Sequence, residues 1–481
     1  MMTLPVALPA YDRKTLSPGI VHIGLGNFHR AHMAVYLDDL FAMGIDHDWA
    51  ILGAGVRAGD ARMREAMLAQ DCVSTVIELD PSGRSARRVG AMTGFLPVEQ
   101  DNASLIAAMS DPVIRIVSLT VTEGGYFVDQ DGAFDPSHPD IVADAAAPSR
   151  PGNAFGAILA ALRNRKAAGA APFTVLSCDN LPGNGEVTKA VVIGLAHLSD
   201  PVFADWVKAN VAFPNGMVDR ITPATGPRER DMAAAFGLGD DPVPVTCEPF
   251  RQWVLEDRFT AGRPALEKVG VTFTSDVHAY EVMKIRILNG GHAIIAYPGS
   301  LMGHEYVHGV MADPTIRAFL DAVETREILP IVPPVPGVNL DDYKTLIIDR
   351  FSNPEIADTV RRLCFDGANR QPKFILPSIR DNLARGVMPA GLILESALWC
   401  RYCFGVDDAG KLIAPNDPNW DKMQTTAQRA KTDPAVWIEI RSVYGDLATN
   451  AGFVSAFAEA LDYVWVHGTE AALRRYVGGS Q

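Results

Sequence analysis

The chain is 481 residues long, with 57 acidic against 43 basic residues and a formal charge of -14. Such a length is too great for one core and implies two domains or three, while the negative balance argues against an extended nucleic-acid surface. Every apolar run falls short of the ~18 residues needed to cross a bilayer. The N-terminus MMTLPVALPAYDRK lacks the charged start and long apolar core of a signal peptide, so a cytoplasmic protein is expected.

The first element is a short apolar run at 19–23 (GIVHI), followed by Gly24, Leu25, Gly26, Asn27 and Phe28, and then by a helical pattern over 31–43 that stops at Gly44. Strand, glycine turn and helix form the opening of a dinucleotide-binding fold. Gly24 permits the tight turn, and Gly26 lets the backbone approach a pyrophosphate at the helix N-terminus, where free N–H groups favour anions. The third glycine of the GxGxxG fingerprint is absent, so an ordinary tight turn stays open as an alternative.

Residues 49–56 (WAILGAGV) read as a second strand, and 114–122 (IRIVSLTVT) as a later, fully buried one ending in Glu123, Gly124 and Gly125. A further apolar run at 173–177 leads into Cys178, Asp179 and Asn180. Ligands gather at the carboxyl ends of parallel strands, which puts Glu123 and Asn180 where a nicotinamide and its substrate would meet. Each is also a residue type that bonds its own backbone in turns. The first carboxylate after the second strand is Asp60, suited to a ribose 2′-hydroxyl and unfavourable to a 2′-phosphate. Neighbouring Arg57 would act in the opposite sense, and the balance favours NAD over NADP.

Between Tyr280 and Pro298 the chain reads YEVMKIRILNGGHAIIAYP, which sets Glu281, Lys284, Asn289 and His292 in one apolar stretch. On an α-helix advancing about 100° per residue, Asn289 and His292 are neighbours at i and i+3, with Lys284 about 80° round from His292. An amine among Met283, Ile285 and Ile287 loses solvation for its charged form and can become a proton acceptor. A carboxamide and an imidazole can both donate to an oxygen that is gaining negative charge. Plainer uses stay open: a lysine snorkelling to solvent, an asparagine ending a helix before Gly290 and Gly291, and a core histidine.

Beyond this segment the pattern is mainly helical, with amphipathic candidates over 453–464 and 470–476, a rigid proline-rich loop at 330–338 and a turn at 416–420. Six scattered cysteines argue for reduced thiols. Cys400 and Cys403 form a CxxC inside an apolar pattern, which favours core packing over metal or redox work.

Taken together and in this order, GIVHIGLGNFHRAH, VTEGGYF, SCDNLPGNG, FPNGMVDRITP and KIRILNGGH resemble the polyol-specific long-chain dehydrogenases, the mannitol 2-dehydrogenase family, over nearly the whole chain. The resemblance implies an α/β fold: a Rossmann-like parallel-sheet domain over 1–276 and a mostly α-helical substrate-binding and catalytic domain over 277–481, whose first segment would line a cleft between the two. It implies NAD, bound by Gly24, Gly26, Asn27, Phe28, Asp60, Glu123 and Gly124, and no metal. Carried over position by position, it makes Lys284 the general base, Asn180 and Asn289 an oxyanion pair, and His292 a third contact to the same oxygen. Glu281 would be a gate or proton relay. Asp219 would bind a polyol hydroxyl or brace the site, and Arg370 and Lys373 would contact substrate hydroxyls or, equally, be solvated loop charges. The implied reaction is oxidation of a polyol to a ketose by a monomer, with D-mannitol and D-fructose foremost. D-arabinitol, D-sorbitol, or reduction of fructuronate or tagaturonate are the alternatives within the family. A non-catalytic NAD(H) sensor is the alternative from another class, and such a protein would not need a lysine beside two oxyanion donors.

Overall fold

Five short runs of the N-terminal half pair into one all-parallel sheet in the computed structural model, which describes residues 5–129 and 132–479. They are β1 (Pro18–Ile23), β2 (Ala50–Ala54), β3 (Met92–Phe95), β4 (Ile116–Leu119) and β5 (Thr174–Ser177), in spatial order β3-β2-β1-β4-β5. That is the strand order of a dinucleotide-binding half, with its switch point between β1 and β4. β4 and β5 are buried at every position and β1 at all but Pro18, as expected of a parallel sheet covered on both faces. The pleat sorts the side chains. Ile20, Ile51, Ile116 and Leu176 enter one cluster with Tyr36, Leu40 and Phe41, while Val21, Val117 and Val175 enter another with Phe155, Ile158 and Leu162.

The helices of this half include α1 (Asn27–Ala31), α2 (Met33–Ala42), α3 (Asp60–Ala69), α4 (Ala154–Ala168) and α5 (Asn184–Ser199). The single helix expected over 31–43 is thus two, broken at His32, whose φ of -120° and ψ of -90° are not helical. A four-stranded sheet (Val6–Ala7, Gly83–Val89, Ser74–Asp80, Val245–Cys247) and a three-stranded one (Thr272–Phe273, Gln252–Leu255, Gly216–Asp219) complete it.

The chain divides into two compact units, Met1–His278 and Ala279–Gln481. Among its described residues the second unit is helical, with strand pairing limited to the bridges Tyr306 to Thr359 and Val406 to Leu412. Its elements include α6 (Val277–Met283), which begins at the division, then α7 (Gly290–Leu301), α8 (Leu340–Phe351), α9 (Gly367–Phe374), α10 (Ala390–Cys403), α11 (Ala451–His467) and α12 (Thr469–Gly478). α10 is buried from Gly391 to Cys403, the pattern of a helix enclosed on all sides. Cys400 and Cys403 lie in it as buried, unpaired thiols, and burial pushes both well above the usual thiol range, so they pack as small apolar groups. The proline-rich stretch follows a short turn at Leu329–Ile331, and the Tyr280 hydroxyl donates to the Pro336 carbonyl. No helix of the described residues is long and apolar enough to cross a membrane.

Candidate active site

β1 delivers the chain to the glycine turn. Gly24 has φ 94°, and a Cβ there would stand 2.1 Å from the Thr120 carbonyl oxygen, so a side chain is excluded twice over. Gly26 precedes α1 and meets nothing within 4 Å of where its Cβ would be, which leaves the backbone approachable. Asn27 uses its amide within the protein: Nδ2 donates to the Pro223 carbonyl at 3.1 Å and to Thr225 Oγ1 at 2.9 Å, and Oδ1 accepts from Arg30 at 2.8 Å. What Asn27 offers a ligand is therefore its backbone N–H. Phe28, half-buried, stacks on His32 with ring centres 4.8 Å apart.

Beneath the turn, Thr120 Oγ1 donates to the Gly24 carbonyl at 2.5 Å, so it accepts from His22 Nε2 at 2.9 Å, and His22 Nδ1 accepts from Ser118 Oγ at 2.8 Å. This chain of bonds assigns His22 the neutral Nε2–H form. Burial supports it, pushing the pKa down to about 3. His29 stacks on His22 at 3.4 Å and is held neutral chiefly by burial. At the end of β2, Asp60 opens α3, and its Oδ2 accepts the Arg57 N–H at 2.9 Å. The Arg57 side chain reaches toward the loop after β4, its Nη2 3.8 Å from the Cβ position of Gly125. An approachable turn, a helix start and a carboxylate on the adjacent strand end are what a dinucleotide requires.

The ends of β4 and β5 are tied together. Thr122 has φ 67°, the left-handed region that a β-branched residue rarely enters. Glu123 and Gly124 follow in the 3-10 turn Glu123–Gly125; the side chain of Glu123 lies outside the described residues. Asp179 accepts from the Val121 N–H at 2.9 Å, the Thr122 N–H at 3.0 Å and the Tyr126 hydroxyl at 2.7 Å. Asn180 comes next and is exposed. The SCDNLPGNG and FPNGMVD motifs then interlock. Asn184 Nδ2 donates to the Gly216 carbonyl at 2.8 Å while its Oδ1 accepts the Gly216 N–H at 2.9 Å, and Asn215 Oδ1 accepts the Gly185 N–H at 2.9 Å. A Cβ on Gly185 would stand 2.5 Å from the Pro214 carbonyl oxygen. The strand Gly216–Asp219 ends in the buried Asp219, and Arg220 beside it donates to Glu248 O at 2.9 Å, Ala31 O at 2.6 Å and Glu78 at 2.6 Å. Asp179, Asn184, Asn215 and Arg220 were not candidates on sequence; their only sequence signal is a place in the same motifs.

In the second unit, Glu281 lies on α6, and Lys284–Asn289 forms a π-helix before α7 begins at Gly290. In a π-turn each N–H bonds a carbonyl five residues back, so Lys284 and Asn289 lie about one turn apart. The α-helical angles expected between Lys284, Asn289 and His292 are replaced by this wider turn. Glu281 and Lys284 are buried, and Asn289 Oδ1 is buried without a hydrogen-bond partner among the described residues. A Cβ on Gly291 would come 2.8 Å from Glu324 Oε1 and 3.3 Å from Phe351. The His292 ring stacks on Phe351 at 4.1 Å. Burial first, then the charges of Arg362, Arg370 and Arg350, push its pKa well below the usual histidine value, so the imidazole is neutral. Arg370 and Lys373 stand on α9, a helix, so the alternative of loop charges does not describe them, and the Phe374 carbonyl of that helix lies 3.6 Å from the Cβ position of Gly290. Arg370 Nη1 donates to the Leu363 carbonyl at 2.7 Å, whereas Lys373 is exposed.

Residues 18–268 match the model of the mannitol dehydrogenase Rossmann domain, and 276–465 that of the mannitol dehydrogenase C-terminal domain. The chain is 71% identical over 476 residues to the mannitol 2-dehydrogenase of Cereibacter sphaeroides, with 99% of this chain and 100% of that one covered. It is 40% identical over 477 residues to the mannitol 2-dehydrogenase of Phaeosphaeria nodorum, covering 98% and 83%. Among solved structures it is similar to Pseudomonas fluorescens mannitol 2-dehydrogenase in a ternary complex with NAD and D-mannitol, at 42% identity and a TM-score of 0.85 over 98% and 97% of the two chains. It is also similar to a D-sorbitol dehydrogenase in substrate-free form, at 34% identity and a TM-score of 0.90 over 97% of each. On its sequence, its parallel-sheet and helical units and both family models, this chain belongs to the mannitol dehydrogenase family.

Proposed function

We propose that the protein is an NAD-dependent polyol dehydrogenase that oxidises D-mannitol to D-fructose, with Lys284 as general base and no metal in the reaction. The observation that carries this reading is the 281–292 segment, where a buried lysine, an asparagine on the same π-turn and a neutral histidine follow one another in a chain 71% identical to a mannitol 2-dehydrogenase.

Bound NAD supplies the acceptor for the hydride that leaves the carbinol carbon. The first unit would hold it through the backbone at 24–28, through Asp60 on a ribose hydroxyl and through the turn at Glu123 and Gly124. Lys284, uncharged, takes the hydroxyl proton. Asn180 and Asn289 donate to the oxygen as negative charge develops on it. A neutral imidazole retains one N–H, so His292 can hold the same oxygen without being a second cation. Glu281, three residues before Lys284, relays the proton to solvent. Asp219, Arg370 and Lys373 contact the remaining hydroxyls. The same reading takes the enzyme to be a cytoplasmic monomer.

D-sorbitol is the second reading of the substrate, favoured by the similarity to a D-sorbitol dehydrogenase. The test is absorbance at 340 nm with NAD and D-mannitol, D-sorbitol, D-arabinitol or xylitol, and with NADH and fructose or fructuronate in reverse. D-mannitol giving the highest kcat/KM supports the first reading, D-sorbitol the second. NADH binding without turnover on any of them overturns both.

A further inference from the structure

We propose that Asp179 is a positioning residue that locks the loop after β4 to Asn180, a role that rests on the dehydrogenase reading above. Three donors converge on its carboxylate. The Thr122 N–H reaches one oxygen at 3.0 Å, and the Val121 N–H and the Tyr126 hydroxyl reach the other at 2.9 and 2.7 Å. Ser177 Oγ bonds the same hydroxyl at 2.6 Å, and the Asp179 carbonyl accepts from Asn184 Nδ2 at 3.1 Å. The residue is therefore fixed from behind by the interlocked motifs and grips the loop in front.

The grip has a specific object. Thr122 is β-branched and stands at φ 67°, a conformation that persists only where surrounding bonds impose it. Both amides flanking the Val121–Thr122 peptide run are aimed at a carboxylate with two acceptor oxygens, which an isosteric amide cannot reproduce, since one of its two heads is a donor. The next two residues are Glu123 and Gly124, assigned to the cofactor, and the residue after Asp179 is Asn180, assigned to the oxyanion. The sheet ladder already pairs Leu119 with Ser177 at the strand ends, so what this one side chain adds is the tie between the loop after β4 and the residue that precedes Asn180. If the loop slipped toward an unstrained backbone, cofactor affinity and oxyanion geometry would deteriorate together.

The experiment is Asp179→Asn in the full chain, with NADH binding followed by fluorescence and kcat measured at saturating cofactor and polyol per NADH-binding site. We expect kcat to fall tenfold or more in both directions and NADH to bind at least fivefold more weakly. A purely structural role would lower the active fraction and the melting temperature but leave these two constants unchanged, and that result overturns the proposal. The double variant Asp179→Asn with Thr122→Gly adds the decisive arm, because glycine adopts the positive φ without a clamp. Partial recovery of kcat supports the clamp; no recovery overturns it. Should Asp179→Asn fail to fold, Thr122→Gly alone in the otherwise native chain serves: a raised melting temperature is expected where a held, strained threonine is relieved, and a lowered one overturns the proposal. A native enzyme inactive on every polyol sinks the dehydrogenase reading itself, whereas an active native enzyme beside an unaffected variant sinks only the role of Asp179.

Discussion

Lys284 and Asn289 differ in what their removal should do, because one accepts a proton and the other only stabilises charge. Lys284→Ala is expected to lower kcat by about 10³-fold or more while NADH affinity stays within about threefold; lost cofactor binding with intact turnover in the bound fraction would sink the assignment. Asn289→Ala removes one oxyanion donor, worth roughly 3 kcal/mol, and should lower kcat about 10²-fold in both directions. His292 is neutral well below the ordinary histidine range, held so by burial and by Arg362, Arg370 and Arg350. His292→Asn should therefore reduce kcat without moving the pH at which the acid limb of the kcat profile falls, and a displaced limb would make His292 the titrating group. These residues stand out in the sequence as candidates because their side-chain chemistry is rare in an apolar run. Asp179, Asn184 and Arg220 do not, since their work is done on backbone groups that lie distant in sequence, such as the Thr122 N–H, the Gly216 peptide and the Ala31 carbonyl. Nothing in a linear pattern announces such partners.

At the scale of elements, the strands β1, β4 and β5 were legible as continuous apolar runs because both faces of a parallel sheet are covered. β3 was not: MTGF has two half-buried residues, one of them a glycine, and its pairing on the sheet edge comes from β2. The π-turn at Lys284–Asn289 is indistinguishable from α-helix in the sequence, since six residues cannot separate a period of 3.6 from a wider one. A second π-turn, Glu324–Ile328, opens with Glu324, whose carboxyl lies against Gly291 just past the first. Both Glu324 oxygens are buried without a hydrogen-bond partner among the described residues, and burial pushes its pKa well above the usual carboxyl range, so it packs there as a neutral acid. Gly291→Ala forces a methyl to within 2.8 Å of that carboxyl and 3.3 Å of Phe351. Overpacking of this kind costs about 1–3 kcal/mol, and because the strain falls where the π-turn meets α7, kcat should drop along with the melting temperature. An alanine variant of native stability and activity would show that the two turns are not in register through this glycine.

For the molecule as a whole, the buried histidines under the glycine turn link cofactor architecture to acid stability. Burial holds His22 and His32 at about 3, against 6.5 for an unperturbed histidine. A folded-state pKa below the unfolded one means that the unfolded chain binds more protons between the two values. Stability is therefore complete above about pH 6.5 and is lost as the pH falls toward 3. Each such histidine removes about 1.4 kcal/mol per pH unit once well below 6.5, so with His29, which burial also holds well below that value, the three should weaken the first unit by about 6 kcal/mol between pH 7 and pH 5. A two-unit chain need not unfold in one step, so the measurement is hydrogen exchange of peptides covering β1 across that range. His22→Gln keeps a donor for Thr120 and an acceptor for Ser118 but cannot titrate, and it should abolish about a third of the acid-induced loss, His29 and His32 supplying the rest. If that variant loses protection as steeply as the native chain, His22 is not what makes the sheet acid-labile, and the neutral hydrogen-bonded form deduced from Ser118, Thr120 and Gly24 would have to be abandoned.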